Sequence, residues 1–255
     1  MRLHESRPEQ ARTGGLGPRQ LIRHLAQIVS ARGVLYLTAL IGIVLVAILS
    51  EAGAEVYEAV TERDGVAELD QPALDTALAW RSPGLDSGIT FFTHLGGPLG
   101  MTLIASAITA LMVWRWRSRT PLVLMLIAVT GSLLLTTLGK TNFGRTRPPT
   151  SEAVPPFETS PSFPSGHALN STVIAGVVAY LVFRRLERRL ARFLTIGLAL
   201  LWAVAIGLSR VYLGHHWLTD VMFGWLVGLA WLTVVIVAHR LYLSVWAERS
   251  RSRPR

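Results

Sequence analysis

Three clusters of polar residues interrupt an otherwise apolar chain, and their side chains suit one kind of chemistry. Lys140 opens a run that ends in Arg147 and Pro148. Pro164-Ser165-Gly166-His167 comes next, and Ser209-Arg210 is followed at fixed intervals by His216 and Asp220. Lys140 is the only lysine among 25 basic residues. A lone ammonium with two arginines and two histidines points to a phosphate-handling site, because fixed cations can stabilise the charge spread over phosphoryl oxygens. Ser165 and Gly166 stand just before an apolar helix, where backbone N–H groups and the helix dipole favour an anion and glycine allows close approach. Asp220 follows His216 by one helical turn. Its carboxylate can therefore take the proton on one imidazole nitrogen and leave the other free to attack, the pairing of orienter and nucleophile.

The elements that must position these residues read as membrane spans. Of the 255 residues, 51% are hydrophobic, and the apolar ones are bunched into Val34 to Ser50, Leu99 to Val113, Pro121 to Leu138, Ala168 to Phe183, Phe193 to Leu208 and Val221 to Ala238. Each run approaches the roughly 20 residues needed to cross a bilayer. Six in a row, separated by charged connectors, predict an all-α, polytopic six-helix bundle. The connectors supply an orientation. Residues 1–33, 114–120, 184–192 and 239–255 are rich in arginine, whereas 51–98 carries nine acids against Arg63 and Arg81. Arginine-rich segments stay cytoplasmic, so both termini are expected inside and the three clusters together at the outer boundary. Loop 139–166 breaks the charge rule with Lys140, Arg145 and Arg147, and phosphate binding gives those cations a reason to be there.

The expected organisation is a basic tail (1–33), a six-helix membrane unit (34–240) with an extracytoplasmic loop (51–98), and a second basic tail (241–255). Residues 19–32 are expected to form an interfacial helix. The loop should hold one or two short amphipathic helices, with Asp70 as a cap before Pro72. The net charge of +9 lies in tails and at helix ends without interleaved aromatics, so it reads as a topology signal and an attraction to anionic lipid, not as a nucleic-acid surface. The absence of cysteine excludes disulfides and thiolate metal sites. No cleaved signal peptide is expected, because a long polar stretch precedes the first apolar run. Arginine in place of lysine points to a GC-rich bacterial genome, and hence to a bacterial inner membrane. Arg145 and His94 are candidate substrate contacts, Arg145 for a second phosphate. His215 reads as a rim residue, and Trp202, Trp217, Trp225 and Trp231 as anchors or packing residues.

In order and spacing the clusters resemble the three signature blocks, KxxxxxxRP, PSGH and SRxxxxxHxxxD, of the type 2 phosphatidic acid phosphatase superfamily, which also includes bacterial acid phosphatases and vanadium-dependent haloperoxidases. All eleven fixed positions are present. The resemblance implies a phosphatase that needs no metal and no cofactor, in which His216 forms a phosphohistidine, Asp220 orients it and His167 protonates the leaving oxygen. Lys140, Arg147 and Arg210 would hold the phosphoryl oxygens, with Ser165 and Gly166 adding hydrogen bonds. The expected substrate is a membrane lipid phosphate or diphosphate. An isoprenoid diphosphate such as undecaprenyl diphosphate comes first, because Arg145 offers charge beyond the need of one phosphate; phosphatidylglycerol phosphate and phosphatidic acid follow. No protein partner is indicated. The rival readings are a vanadium-haloperoxidase-like oxidase using the same residues, and a lipid transporter or binder without catalysis.

Overall fold

The structure is a computed structural model that describes residues 18–251, with side chains over 33–247. Among the described residues it is entirely helical: α1 (Pro18–Glu62), α2 (Asp70–Ala79), α3 (Pro83–Leu95), α4 (Pro98–Trp116), α5 (Thr120–Phe143), α6 (Gly166–Phe183), α7 (Arg189–Tyr212) and α8 (Leu218–Arg251). Six of these are long and apolar enough to span a bilayer. Their outward residues, such as Leu37, Ile43, Leu133, Leu198 and Leu201, are exposed, as a lipid-facing surface requires. Proline opens α3 and α4 at the position where its missing N–H costs no helical bond, and Pro121 lies within the first turn of α5.

Helix α6 is the hub. Half of its apolar span is buried, with Leu169, Val173 and Val177 packed against Met101 and Ala105 of α4 and Leu124, Met125 and Ala128 of α5. Small residues let the helices approach closely, as is usual where lipid removes most of the hydrophobic drive for helix association. A Cβ at Gly131 would collide with Trp231, and one at Gly176 with Leu232. The indole N–H groups of Trp225 and Trp231 donate to Ala203 O and Ala128 O across helix pairs, so both act in bundle packing.

Two features differ from the sequence expectation. The first helix does not stop near Ser50; it continues to Glu62. Glu51, Glu55, Glu58 and Glu62 recur at intervals of four, three and four, and all are exposed, while Gly53, Val56 and Ala59 are buried. These acids therefore form the solvent stripe of an amphipathic helical extension and do not mark a loop. Likewise residues 19–32, expected as a separate interfacial helix, are continuous with α1 in backbone. Residues 1–17 and 252–255 of the two tails lie outside the described residues. The expected short helices between the first two spans are present as α2 and α3. The ends of α5 and α7 and the starts of α6 and α8 meet at one end of the bundle, beneath α2 and α3.

Candidate active site

His216 lies in the turn between α7 and α8, a turn made by Gly214 at φ +69°. Asp220 belongs to the first turn of α8, and its Oδ2 reaches back to the Trp217 N–H at 3.0 Å, the reciprocal half of a capping box. The same oxygen lies 3.2 Å from His216 Nδ1. The predicted pairing therefore exists, but His216 precedes the helix, and capping geometry rather than one turn of α-helix brings the two side chains together. Ser162 Oγ also donates to this carboxylate.

The other imidazole nitrogen, Nε2, is 3.3 Å from Arg147 Nη1. A guanidinium has donors only, so Nε2 must present its lone pair and Nδ1 must carry the proton toward Asp220. Burial, then Arg147 and Arg210, holds the His216 pKa well below the usual 6.5. At neutral pH the ring is an uncharged imidazole with an outward lone pair, the state a nucleophile needs.

Around this nitrogen the cations converge. Arg147 is anchored by Nε to Ser160 O at 2.7 Å and by Nη1 to His215 O. Lys140 Nζ donates to Pro161 O and to Ser160 Oγ at 3.2 Å, so loop 144–165 wraps the ammonium. Gly139 makes this possible, because a Cβ there would meet Pro164 Cδ at 2.5 Å. Arg210, 2% exposed, pairs through Nη2 with Glu158 Oε1 at 2.5 Å. Its Nη1 is 3.4 Å from Thr93 Oγ1, and its buried Nε has no hydrogen-bond partner. An unpaired cationic donor in the interior is costly and marks a place where an anion is expected. Burial raises the Glu158 pKa, but Arg210 and Arg147 outweigh it and the net shift is downward. This carboxylate lies where phosphoryl oxygens would neutralise the same two arginines.

Glu158 and Arg210 share a cavity of about 90 Å³ with His167, His94, Thr90 and His215. His94, the candidate substrate contact, lines this cavity. His215 is no rim residue: it is 3% exposed, and its Nε2 lies 2.7 Å from Val154 O, which locks the loop to the α7–α8 turn.

Two expected contacts are corrected. Ser165 is committed to the fold, since its N–H donates to Asp220 O at 3.0 Å and its hydroxyl caps α6 at Ala168 N; the free N–H groups at this helix start are those of Gly166 and His167. Arg145 does not point at a second phosphate. Its Nη1 donates to Asp220 Oδ1 at 2.6 Å and to Thr219 Oγ1 at 2.8 Å, and its Nη2 to Asp70 Oδ2 at 2.7 Å, so both ends of its fork are occupied behind the His216–Asp220 pair. Asp70, in turn, does not cap α2. It accepts from Thr219 N at 2.8 Å and from Thr219 Oγ1 at 2.7 Å. Sequence reasoning missed Asp70, Ser162, Glu158 and Thr93. The only signal available was their polarity within segments already assigned to the outer face.

Residues 121–242 match the PAP2 superfamily. Phosphatidylglycerophosphatase B of Bacillus subtilis is 32% identical over 178 residues, covering 68% of this chain and 85% of that protein. The chain belongs to the PAP2 superfamily. An undecaprenyl-diphosphatase of Sulfolobus acidocaldarius is 33% identical over 135 residues, 51% of this chain and 60% of that one. The crystal structure of a transmembrane PAP2-type phosphatidylglycerolphosphate phosphatase from Bacillus subtilis aligns with a TM-score of 0.67 at 28% identity, covering 78% of this chain and 96% of that one. This PAP2 protein is therefore an integral-membrane enzyme, a phosphatase acting on lipid phosphates.

Proposed function

We propose that the enzyme hydrolyses a lipid phosphomonoester at the extracytoplasmic membrane boundary through a phosphohistidine on His216. The observation that carries this reading is the lone pair of His216 Nε2, 3.3 Å from Arg147 Nη1 and within the field of Arg210 and Lys140, while Nδ1–H is held by Asp220. An entering phosphoryl group displaces the Glu158 carboxylate from the arginines and meets the unpaired Arg210 Nε. The Nε2–P bond forms as the bond from phosphorus to the lipid oxygen breaks, and His167, which enters this step as the imidazolium paired with the phosphoryl dianion, gives that oxygen its proton. The lipid alcohol leaves. Water, deprotonated by His167, then attacks phosphorus and releases inorganic phosphate and neutral His216. The cations provide the charge stabilisation that Mg²⁺ supplies in many phosphotransfer enzymes.

A groove of about 440 Å³ runs between α1, α5 and α8, lined by Leu49, Gly53, Tyr57, Leu135, Phe143 and Phe223 among others. Phe143 and Phe223 both touch the ring of Phe163, with centroids 5.5 and 4.4 Å away, and Phe163 adjoins Ser162 at the nucleophile. A lipid chain lying in this groove is one aromatic layer from the phosphate site, so we assign the substrate to the bilayer. With Arg145 occupied, Lys140, Arg147 and Arg210 match one phosphoryl group. This removes the reason for ranking an isoprenoid diphosphate first. Phosphatidylglycerol phosphate takes that place, in keeping with the names of two of the relatives, and undecaprenyl diphosphate follows. The six-helix unit 34–240 carries the activity.

Phosphate release from phosphatidylglycerol phosphate, phosphatidic acid, a long-chain prenyl diphosphate and p-nitrophenyl phosphate, with EDTA present, tests this assignment. The phosphatidylglycerol phosphate should turn over with the highest kcat/KM, orthovanadate should inhibit, and His216→Ala should abolish turnover. Full activity of His216→Ala or an absolute need for divalent metal overturns the mechanism. A water-soluble best substrate overturns the lipid assignment.

A further inference from the structure

Behind the His216–Asp220 pair stands a second carboxylate outside all three signature blocks. Asp70 comes from the start of α2, Arg145 from the loop after α5 and Asp220 from α8, each 75 residues from the next. The three form one continuous chain: Asp70 Oδ2 to Arg145 Nη2 at 2.7 Å, Arg145 Nη1 to Asp220 Oδ1 at 2.6 Å, and Asp220 Oδ2 to His216 Nδ1 at 3.2 Å. The side chains of Asp70, Arg145 and Asp220 are 7%, 19% and 0% exposed, so water screens the links weakly. Thr219, next to Asp220, is tied to Asp70 through both its N–H and its hydroxyl.

We infer that Asp70 is a positioning residue of the phosphatase site, acting on His216 through Arg145 and Asp220. The inference rests on the reading of His216 as nucleophile. A guanidinium is planar, and two carboxylates on separate arms fix both its plane and its rotation. With Asp70 in place, Arg145 holds Asp220 Oδ1 in one direction and leaves Oδ2 aimed at Nδ1–H. Asp70 also balances charge. If Asp220 alone faced Arg145, its negative charge would be drawn toward the arginine and would support less well the positive charge that the imidazole gains when Nε2 bonds to phosphorus. Asp70 returns one negative charge to the cluster and lets Asp220 serve both neighbours. The same contacts dock α2 onto the start of α8, which gives a segment without a signature motif a part in the chemistry.

A double-mutant cycle on the full-length protein in detergent separates this role from simple docking. Asp70→Asn keeps an oxygen for the Thr219 N–H and removes the charge that Arg145 needs. It should lower kcat about 10- to 100-fold, the range found when an outer partner that orients a metal-bound imidazole is removed, with KM for the lipid phosphate nearly unchanged. Arg145→Gln should lower kcat to a similar extent, and the double variant should be no worse than Arg145→Gln alone. Asp70→Glu, which keeps the charge with a longer reach, should recover part of the loss. If Asp70→Asn has wild-type kcat, or if its loss multiplies in full on that of Arg145→Gln, the inference is overturned. His216→Ala in the same assay keeps the two hypotheses apart. An inert His216→Ala beside a fully active Asp70→Asn overturns only the role of Asp70, whereas an active His216→Ala overturns the nucleophile itself.

Discussion

His215 and His216 adjoin in sequence, and burial keeps both neutral for different purposes. Burial, then Arg210, pushes His215 down to about 4, and it serves as a strut to Val154. His216 is held well below 6.5 by burial, Arg147 and Arg210. An unfolded chain takes up both protons near the usual histidine value, while the folded chain refuses them. Below pH 6.5 the unfolded state thus binds more protons, and the stability these rings contribute is present above 6.5 and lost as the pH falls. Glu158, whose pKa is also lowered, adds to this loss only below its ordinary 4.5, so the interval from 6.5 to 5 reports the histidines. The melting temperature in detergent should fall over that interval, and it should fall less in His215→Gln. A slope in the variant equal to or steeper than that of the wild type contradicts this account.

At the scale of elements, the site depends on the two turns that deliver its residues. Gly144 and Gly214 both have positive φ, +51° and +69°, but their surroundings differ. Nothing lies within 4 Å of a Cβ at Gly144, whereas one at Gly214 would meet Glu152 O at 2.4 Å. A left-handed non-glycine residue costs roughly 1–2 kcal/mol, so Gly144→Ala should lose about that in stability and keep most of its turnover. Gly214→Ala bears the clash as well. It must push the α7–α8 turn, with His215 and His216, away from loop 144–165, and its kcat should collapse. Equal effects of the two substitutions on turnover would contradict this role for the turn. Glycine in a loop is visible in sequence, but what its absent side chain would strike is not. The same limit explains the rest of the reading. The six spans were legible because apolar runs report lipid directly, and the three blocks because their spacing is fixed. The outward extension of α1 was not, since four glutamates read as loop until their helical spacing is set against the buried Gly53, Val56 and Ala59. Nor were the roles of Arg145 and Asp70, because a partner 75 residues away leaves no local pattern.

For the whole molecule, charge is sorted along the bundle axis. At the end opposite the site, Arg185 lies over the Trp116 ring at 5.0 Å, Arg184 over Tyr180 at 5.8 Å and Arg192 over Phe183 at 5.0 Å, so the arginine-rich connectors are pinned at one boundary by aromatic faces. The glutamate stripe of α1, the α2–α3 cover and the cluster of Lys140, Arg147, Arg210 and His216 occupy the other. A span of 30 residues measures about 45 Å, more than the roughly 30 Å of hydrocarbon, so α1 projects beyond the bilayer on the acidic side and lifts its carboxylates into water. We propose on this basis that the arginine end is cytoplasmic and the site extracytoplasmic. The stripe would repel anions arriving from solution, and a lipid entering sideways from the bilayer avoids it. The chain has no cysteine, so single cysteines report orientation without background. Ser87 and Thr159 are exposed at the site end, and Arg119 and Arg188 at the other. In intact cells, cysteines at Ser87 and Thr159 should react with an impermeant maleimide, and those at Arg119 and Arg188 should react only after the membrane is permeabilised. The inverse pattern would place the site in the cytoplasm and remove the charge argument, while leaving the chemistry of His216 untouched.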